Sequence, residues 1–388
     1  MVSFNYINPT RIVFGRSAEK QIGALTSAYS NKALIHYGSE RIIKSGLMDV
    51  LTNSLNAAGV EFTLLGGVQP NPRSSLVYKG IEIVKNKNIG IIIAVGGGSV
   101  IDSAKAIGIG AAYEGDFQDF FGSRASDTPK ASVPVGVVLT MAGAGSEASN
   151  NCVITNDKDG TKNPCGSEVI YPVFALMNPE LTTTVPEYQT MCGITDAISH
   201  AMERYFSPTE NTDITDRMLE GIISSLIHNA LLLKDDLTNY DLRAEIMLGC
   251  KVAHDNCAGV GRVQDWASHQ MEHQISALYD VAHGAGLAVV MPAWMEYISA
   301  FKPDRLVALG KRVFAKGNEP WTASDTIGAF RHFLKEIGMP IRMHELCPAV
   351  SEDYPKMAKM ALDYNCGSIG QYRKLYQQDV ETIYKLME

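Results

Sequence analysis

Residues Gly90 to Ile107 read GIIIAVGGGSVIDSAKAI and decide the fold of the first half of the chain. Gly90–Val95 is an apolar run typical of a strand that helices cover on both faces. Three glycines and Ser99 follow at once, and Val100–Ile107 continues with a helical pattern. The stretch therefore predicts a buried strand, a tight glycine turn and a helix, as in folds that alternate strands with helices.

The same alternation of apolar runs and amphipathic stretches extends through the first half of the chain. Further strands are predicted at Lys32–Tyr37, Glu61–Leu65, Val135–Leu139 and Val173–Met177, and helices at Ile42–Ala58 and Ser74–Lys87. Strands that alternate with helices in this way form a mostly parallel sheet.

The pattern changes beyond Thr183, where strand signals fade. Long amphipathic stretches there predict helices at Asp213–Leu233, Leu242–Ala258, Asp265–Tyr279 and Ala323–Glu336. Pro179 and Pro186 flank the change and predict a linker. We therefore expect an α/β domain over residues 1–183 and an all-helical domain over residues 184–388.

Composition narrows the classes of partner. Apolar residues make up 46% of the 388 positions, and the formal net charge is -8. This balance disfavours nucleic acid and anionic membrane surfaces as partners, because no basic face offsets the negative charge. No segment reaches the ~20 apolar residues of a membrane helix, and the first residues, MVSFNYINPTRIVFG, lack the features of a signal peptide. The scattered cysteines predict reduced, mostly buried thiols, and the predicted compartment is the cytoplasm.

The glycine turn Gly96-Gly97-Gly98-Ser99 is a candidate phosphate site. Glycine lets the backbone approach a phosphate closely, and the N–H groups at a helix start attract its charge. The alternative is a tight turn without a ligand, but three consecutive glycines cost much chain entropy for a plain turn. The turn matches neither the GxGxxG fingerprint nor a Walker loop. A second small-residue loop, Thr140 to Ser146, also follows a strand and is a weaker candidate for phosphate or nicotinamide.

The end of the predicted strand Lys32–Tyr37 bears on the choice between NAD and NADP. In dinucleotide folds an acidic residue at such a strand end usually binds the 2′-hydroxyl of NAD. Here the tip is Gly38-Ser39, small and uncharged, and Ser39 and Arg41 are able to accept a 2′-phosphate. Glu40 lies between them and keeps NAD(H) as the alternative, so the tip favours NADP(H) without excluding NAD(H).

Two pairs of polar residues share helical spacing in the second half of the chain. Asp196 and His200 are one helical turn apart, as are His269 and His273, and residues so spaced lie on one helix face. His283 follows a little further along the chain. A lone histidine is more often an ordinary surface or hydrogen-bonded residue, but this grouping reverses that balance and predicts a shared metal ion.

The sequence around His283 completes the expected site. Gly284 and Gly286 are expected to end the helix that carries His269 and to turn the chain back, so that His283 reaches the same point. A carboxylate with imidazoles and no thiolate suits Fe(II), Zn(II), Ni(II) or Mn(II) rather than a structural zinc. The ion keeps a position open for water or substrate only if His273 is not a ligand, which leaves a histidine for proton transfer.

With these motifs the chain resembles the iron-containing (group III) alcohol dehydrogenases over nearly its full length. The motifs are Gly96-Gly-Gly-Ser-x-x-Asp102-x-x-Lys105, Pro70-Asn71-Pro72, the Thr140 to Ser146 loop, Gly193-x-x-Asp196-x-x-x-His200-Ala-x-Glu203 and the His269, His273 and His283 cluster. The flanks Asp265-Trp266-Ala267 and Tyr279-Asp280 are most similar to the NADP-using butanol dehydrogenase and aldehyde reductase branch. One departure is Asn178, where the family pattern usually has aspartate.

The resemblance implies an N-terminal dinucleotide-binding, Rossmann-like α/β domain, an all-α C-terminal metal-binding and catalytic domain, and a cleft between them. It implies one divalent metal, Fe(II) before Zn(II) or Ni(II), and His273 as a proton relay near the nicotinamide. The implied metal ligands are Asp196, His200, His269 and His283. The implied cofactor contacts are Gly38, Ser39, Asn71, Gly96, Gly97, Gly98, Ser99, Asp102, Thr140 and Leu181. A homodimer is also implied, in which a strand around Arg11–Phe14 pairs across subunits.

The predicted function is reversible hydride transfer between NADP(H) and primary alcohols or aldehydes such as butanol and butanal, assisted by a Lewis-acid metal. One alternative is an enzyme of the same architecture that is similar to glycerol dehydrogenase or dehydroquinate synthase. Those relatives normally use three protein ligands, so the complete set of four argues against it. The other alternative is a relative that binds metal or nucleotide without catalysis. Asn150 and Asn151 are candidates for the substrate pocket, or for a polar turn.

Overall fold

The computed structural model describes residues 1–122, 128–315, 317, 319–349 and 351–388. The chain forms two compact units. One unit is Ile7–Thr184, and the other joins Met1–Tyr6 to Val185–Glu388. In the second unit the backbone N–H of Val2 donates to the Gly261 carbonyl at 2.9 Å, which ties the N-terminal residues to the helical part. Among the described helices, none is both long and apolar enough to cross a membrane.

The unit Ile7–Thr184 is built on a parallel sheet. Its strands are β1 (Arg11–Phe14), β2 (Lys32–Tyr37), β3 (Glu61–Leu65), β4 (Ile91–Gly96), β5 (Val135–Leu139), β6 (Asn151–Thr155), β7 (Lys162–Gly166) and β8 (Phe174–Met177). Six of these strands form one sheet in the order β1-β8-β5-β4-β2-β3, and every neighbouring pair in it is parallel. The remaining two, β6 and β7, form an antiparallel hairpin.

Helices complete both units. The unit with the sheet holds α1 (Ile22–Ser27), α2 (Arg41–Lys44), α3 (Leu47–Ala57), α4 (Ser74–Lys87) and α5 (Gly98–Ala111). The other unit holds α6 (Glu187–Tyr205), α7 (Asp213–Asp235), α8 (Tyr240–His254), α9 (Ala267–Tyr279), α10 (His283–Ser299), α11 (Asp304–Val313), α12 (Ala323–Glu336), α13 (Met343–Leu346), α14 (Tyr354–Tyr364) and α15 (Gln377–Lys385). The predicted fold class, an α/β part followed by an all-α part, is confirmed.

The apolar runs explain why β4 and β5 lie inside the sheet. Every residue of both strands is buried, and Val95 pairs with Val138 while Tyr37 of β2 pairs with Val95. Burying one such aliphatic side chain stabilises the fold by roughly 1.5–3 kcal/mol. Because the register aligns β2, β4 and β5, the loops after these strands leave the sheet at the same edge, as parallel strands require.

The prediction of one continuous helix at Ile42–Ala58 is wrong, because the structure has two helices there. The structure ends α2 at Lys44 and begins α3 at Leu47, and Gly46 between them has a φ of 78°. That left-handed conformation is one that glycine adopts without the steric cost of a Cβ. The apolar periodicity continues across the break and therefore hides it.

The β6–β7 hairpin was not predicted from the sequence. Its strands read NCVIT and KNPCG, and neither has the clear alternation of apolar and polar residues that marks a half-buried strand. The predicted helix Leu242–Ala258 is also too long, because α8 ends at His254 and a short 3-10 turn, Cys257–Gly259, follows. The hairpin and the end of α8 both lie where the local sequence pattern is weak. Contacts with the rest of the unit decide the structure at these places.

Asn178 has a physical reason to be an amide. Its Oδ1 accepts a hydrogen bond from the Glu180 N–H at 3.1 Å, and its Nδ2 donates to Glu19 Oε2 at 3.0 Å. Asn178 and Glu19 are both buried. An aspartate here would place a second negative charge against the Glu19 carboxylate, whereas the amide supplies a donor to it.

Lys105 holds the hairpin to α5. The side chain is fully buried, and Nζ donates to the carbonyl oxygens of Ser146, Ser149 and Asn151 at 2.7, 2.9 and 2.8 Å. Burial lowers the pKa of Lys105 to about 8, an effect that the nearby Asp102 carboxylate opposes. The three carbonyls match the three N–H donors of the ammonium group, so the loop that enters β6 is fixed by one side chain.

Replacing Lys105 with methionine is expected to lower the free energy of unfolding by about 3–5 kcal/mol, because three buried carbonyls lose a charged donor. Chemical denaturation measures the change. Lys85→Met is the matched control, since the exposed Lys85 Nζ donates to a single carbonyl, that of Tyr113, at 2.8 Å. Its effect should stay within about 0.5 kcal/mol. Equal effects of the two substitutions would contradict the role given to Lys105.

Candidate metal centre

Helix α6 supplies the first two polar groups of the site. Asp196 and His200 are one turn apart on it, and both side chains are buried although one is an acid. His200 Nε2 lies 3.4 Å from Asp196 Oδ1. The Arg204 guanidinium donates to the His200 carbonyl at 3.0 Å, within the same helix. The helical spacing therefore places an oxygen and a nitrogen ligand side by side, as the sequence predicts.

Helices α9 and α10 bring two further histidines to the same oxygen. His269 Nε2 and His283 Nε2 each lie 3.7 Å from Asp196 Oδ1. The His269 ring is stacked on the His200 ring with centroids 4.8 Å apart, and it lies 5.3 Å from the His283 ring. The structure thus brings together all four residues predicted as metal ligands.

The unpaired atoms of this cluster fit a bound ion. Asp196 Oδ1 and His269 Nε2 are buried, and neither has a hydrogen-bond partner among the described residues. A buried polar atom left in this state costs about 1–3 kcal/mol, which a coordinated ion removes. Ligand atoms about 2.1 Å from a tetrahedral ion lie about 3.4 Å apart, and the separations from Asp196 Oδ1 are close to this value. One carboxylate and three imidazoles form a donor set suited to iron or zinc.

Glu203 orients His269 from behind. It lies one turn beyond His200 on α6, and its side chain is buried. Its Oε1 lies 3.1 Å from His269 Nδ1 and accepts from the His269 backbone N–H at 3.0 Å, while Oε2 accepts from the Trp266 N–H at 2.8 Å. A carboxylate on Nδ1 fixes the ring and directs Nε2 outward, which is how metal-binding histidines are usually held.

Glu272 does the same for His283. This carboxylate is completely buried on α9, and its Oε2 is in hydrogen-bond contact with His283 Nδ1. Ser276, one turn along α9, donates its hydroxyl to Glu272 Oε1. Glu203 and Glu272 were not assigned a role from the sequence, although each lies three positions after a predicted ligand, His200 and His269 respectively. That spacing is the signal that could have identified them.

The electrostatics of the cluster differ from histidine to histidine. Burial lowers the pKa of His200 well below its usual value, and the neighbouring imidazoles lower it further. Burial also lowers the pKa of His269, but the nearby carboxylates of Asp196 and Glu203 outweigh it and hold that pKa at about 9. A divalent cation replaces the proton that these two carboxylates attract in its absence.

The expectation that Gly284 and Gly286 end the preceding helix is wrong. Helix α9 ends before Asp280, which adopts a φ of 50°, and α10 already begins at His283. A Cβ on Gly284 would lie 1.9 Å from the Cys192 carbonyl oxygen of α6. A Cβ on Gly286 would lie 2.6 Å from Glu272 Oε1. The two glycines therefore allow α10 to approach α6 and α9 closely enough for His283 to reach Asp196.

His273 lies beside the cluster rather than in it. Its ring is partly buried, and its centroid is 5.5 Å from that of His283. Glu272, His273 and His283 form a second group whose potential ligand atoms lie within 4.8 Å of one another. Asp196, His200 and His269 form the first such group, and His283 is connected to it through the 3.7 Å distance from its Nε2 to Asp196 Oδ1. Its role in proton transfer stays a prediction.

The glycine turn and the second loop meet at the edge of the sheet. Gly96 ends β4, Gly97 caps α5, and the Thr140 N–H donates to the Gly96 carbonyl at 3.0 Å. A Cβ on Gly97 would lie 3.1 Å from Met141 Cβ, and one on Gly98 would lie 2.9 Å from Ala144 Cβ. The start of α5 therefore fits closely against the second loop because these positions lack side chains. The backbone N–H groups at the start of this 14-residue helix lie at the same edge of the sheet.

The other predicted cofactor contacts lie in the same unit. Gly38 follows β2, and a Cβ there would lie 3.7 Å from Val100 Cγ2, so the tip is close to the glycine turn. Ser39 is exposed, and Ser99 in the first turn of α5 is partly buried. Asn71 is buried with a φ of 52°. Leu181 lies in a 3-10 turn, Pro179–Thr182, and packs against the core of the sheet.

The Asp102 carboxylate accepts hydrogen bonds from other parts of the chain. Its Oδ1 accepts from the Ser146 hydroxyl at 2.6 Å, and its Oδ2 accepts from the Val153 N–H at 2.9 Å. Through these bonds Asp102, like Lys105, connects α5 to the second loop and to the hairpin. Asn151 begins β6 with an exposed side chain, so the structure places it in a strand and not in a turn.

Comparisons with known proteins point to one family. The family model for iron-containing alcohol dehydrogenase matches residues 9–179, and the model for the C-terminal part of that family matches residues 190–387. The chain is 38% identical over 389 residues to the probable NADH-dependent butanol dehydrogenase 1 of Bacillus subtilis, with 99% of each chain covered. It is 31% identical over 350 residues to the NADPH-dependent aldehyde reductase YqhD of Escherichia coli, with 89% of each covered.

A solved structure of a relative has the same fold. The NADH-dependent butanol dehydrogenase A of Thermotoga maritima superposes with a TM-score of 0.94 at 35% identity, covering 100% of this chain and 99% of that one. The chain belongs to the iron-containing alcohol dehydrogenase family. The resemblance inferred from the motifs is therefore confirmed.

The close approach at Gly284 gives a test of the cluster. Gly284→Ala is expected to lower metal affinity by about 10–100-fold, because the added methyl group moves α10 and His283 away from Asp196. The free energy of unfolding should fall by about 1–3 kcal/mol. Metal content by elemental analysis and denaturation in urea measure the two effects.

Gly328→Ala is the matched control for this substitution. Gly328 lies inside α12, and a Cβ there meets no atom within 4 Å among the described residues. It should leave metal content unchanged and stabilise the protein by roughly 0.5–1 kcal/mol, since alanine is the better helix former. Wild-type metal affinity in Gly284→Ala would show that the approach of α10 to α6 does not position His283.

Proposed function

We propose that this chain is a metal-dependent alcohol dehydrogenase and aldehyde reductase. It catalyses reversible hydride transfer between a nicotinamide cofactor and primary alcohols or aldehydes such as butanol and butanal. The observation that carries the proposal is the convergence of three histidine Nε2 atoms on Asp196 Oδ1, at 3.4, 3.7 and 3.7 Å. The names of the relatives, two butanol dehydrogenases and an aldehyde reductase, support the substrate class.

The residues of the cluster hold and orient one divalent ion, Fe(II) in the first instance. The proposed ligands are Asp196, His200, His269 and His283. When bound, the ion supplies Lewis-acid chemistry that lowers the pKa of an alcohol hydroxyl or polarises an aldehyde carbonyl. Glu203 and Glu272 keep the ligand rings in place through Nδ1, so that the chain needs little reorganisation when substrate arrives.

We assign the movement of the proton to His273. Its imidazole has a ring nitrogen that accepts the proton released by an alcohol and returns it when an aldehyde is reduced. Its partly buried ring beside His283 supports this assignment, because it combines proximity to the cluster with contact to solvent. The nicotinamide carries the hydride itself.

The nucleotide is proposed to bind at the edge of the sheet where β2, β4 and β5 end. The N–H groups at the start of α5, from Gly97 to Ser99, bind the pyrophosphate. We propose NADP(H) as the preferred cofactor because Ser39 and Arg41 offer donors to a 2′-phosphate. The Glu40 carboxylate, which disfavours that phosphate, lies 3.5 Å from Lys44 Nζ and is partly offset by it. The relatives' names include both NADH and NADPH.

We further propose that the enzyme is a homodimer. Strand β1 is one of the two edge strands of the parallel sheet, next to β8, and its Phe14 side chain is exposed. An edge strand with unpaired backbone groups and an exposed aromatic residue is suited to pairing with a second copy. The cytoplasmic location stays a prediction.

The activity test follows the oxidation of NADPH and of NADH by butanal in metal-replete protein. The wild type should oxidise both, with kcat/KM about tenfold higher for NADPH, the effect of one charge-assisted contact to the 2′-phosphate. His269→Ala should lose metal and activity together. His332→Ala is the matched control, because the exposed His332 pairs only loosely with Glu336 at 3.7 Å, and it should behave as wild type.

Two results would contradict the proposal separately. Absence of oxidation with either nucleotide, in protein shown to contain metal, would exclude the dehydrogenase function and favour a relative that binds without catalysis. Faster turnover with NADH would leave the function intact and overturn the cofactor preference. Activity in His269→Ala with unchanged metal content would show that the ligand assignment is wrong.

A further inference from the structure

Two cysteines face each other across the β6–β7 hairpin. Cys152 of β6 is the direct partner of Cys165 of β7 in the antiparallel register. The next pair is Val153 and Pro164: the Val153 N–H donates to Asp102, and proline has no N–H. That pair is therefore the non-hydrogen-bonded type, and since the two types alternate, Cys152 and Cys165 form a hydrogen-bonded pair. In such a pair the Cα atoms are about 5.5 Å apart, within the range that a disulfide spans. The Cβ atoms of a hydrogen-bonded pair are also about 5.5 Å apart and must approach to about 4 Å for the bond to form, so local movement of the hairpin is part of the reaction.

The two cysteine side chains lie on the same face of the hairpin. Partners in an antiparallel register point to the same face of the hairpin, and both cysteines are buried on that face. A hydrogen bond with Cys165, followed by burial, raises the pKa of the Cys152 thiol well above its usual value. Both residues are free, buried cysteines.

Three other cysteines have different surroundings among the described residues. Cys192 lies 3.9 Å from the sulfur of Met339, and Cys347 lies 3.7 Å from that of Met343, so each packs against a thioether. Cys366 is exposed. The Cys152–Cys165 pair combines direct opposition in the backbone register with burial on one face of the hairpin.

We propose that Cys152 and Cys165 are a redox modification site, and that a low-molecular-weight disulfide such as glutathione disulfide converts them into an intramolecular disulfide. One cysteine thiolate attacks a sulfur of the reagent, forming a mixed disulfide and releasing one thiol. The second cysteine then attacks the mixed disulfide, forms the Cys152–Cys165 bond and releases a second thiol. Two protein thiols are oxidised, the reagent is reduced to two thiols, and the two protons pass to the leaving thiolates.

Local opening of the hairpin gives the reagent access. The hairpin is a separate two-stranded sheet, and its tip, residues 157–160, is exposed. Two-stranded hairpins have little stability of their own, and segments of this kind open without unfolding the whole domain. Because burial and the raised pKa slow the attack, we expect oxidation over a period on the order of hours rather than seconds.

The modification would act next to the proposed nucleotide site. Cys152 lies between Asn151, whose carbonyl accepts from Lys105, and Val153, whose N–H donates to Asp102. Both anchors are on α5, the helix that begins at the glycine turn. A disulfide would therefore fix the strand that Lys105 and Asp102 hold. The proposal itself concerns the chemistry of the thiols and does not depend on the function of that site.

The experiment uses the full-length protein in native buffer with excess glutathione disulfide. Remaining thiols are then blocked by alkylation, and the protein is digested with trypsin. Lys158 and Lys162 lie between the two cysteines, so cleavage there leaves a disulfide joining two separate peptides. We expect a linked peptide pair that contains Cys152 and Cys165, has lost two hydrogens, and separates on reduction. The tryptic peptide with Cys165 also contains Cys192, so fragment spectra should show the alkyl group on Cys192. The linked form should become the main species at equilibrium.

Matched variants separate this reaction from general oxidation. Cys152→Ser and Cys165→Ser should each abolish the linked pair, whereas Cys347→Ser, which removes a buried cysteine from another part of the fold, should leave it unchanged. The proposal is overturned if both wild-type thiols are still alkylated at equilibrium. It is equally overturned if they carry only glutathione, or if either is joined to a different cysteine. The wild-type peptide map decides the question even if a serine variant fails to fold.

Discussion

The site depends on one carboxylate oxygen, Asp196 Oδ1, which three imidazole nitrogens approach to 3.4–3.7 Å inside the protein. This buried oxygen has no hydrogen-bond donor among the described residues. Such an arrangement is unfavourable for the chain alone, because desolvated polar atoms without partners cost free energy. It becomes favourable when a divalent cation lies among the four ligands. The cluster therefore fits a bound divalent ion, and iron or zinc suits its donor atoms.

The packing of three helices serves this constraint. His269 and His283 reach Asp196 only because α9 and α10 pack closely against α6. Gly284 allows the contact with the Cys192 carbonyl, and Gly286 leaves room for Glu272. The buried carboxylates of Glu203 and Glu272 would be costly without partners, but each lies against the Nδ1 of a proposed ligand. Packing, buried charge and ligand direction are thus parts of one arrangement, in which a methyl group on α10 is expected to affect the ion.

Sequence patterns predict the parts of this molecule that local physics decides. The apolar run before Gly96 and the glycines themselves predict β4, the turn and α5, and helical spacing predicts that Asp196 and His200 share a face. The hairpin of β6 and β7 escapes prediction because KNPCG has no strand periodicity, and Lys105 and Asp102 hold it from elsewhere in the chain. Glu203 and Glu272 escape for a different reason: an acidic residue on a helix has the same sequence signature whether it faces solvent or a histidine. Gly284 was interpreted as a helix end because sequence alone cannot distinguish a glycine that turns the chain from one that permits a close helix contact.

The most direct test of this account is elemental analysis of the purified protein after loading with Fe(II) or Zn(II) and removal of free metal. The account predicts one tightly held divalent ion per chain in the wild type, and loss of that ion in Asp196→Ala. Asp363→Ala, which removes an exposed aspartate of α14, serves as the control and should retain the ion. Wild-type protein that holds no stoichiometric metal, or an Asp196→Ala variant that holds as much as the wild type, would contradict the claim that Asp196 and the three histidines form the metal centre.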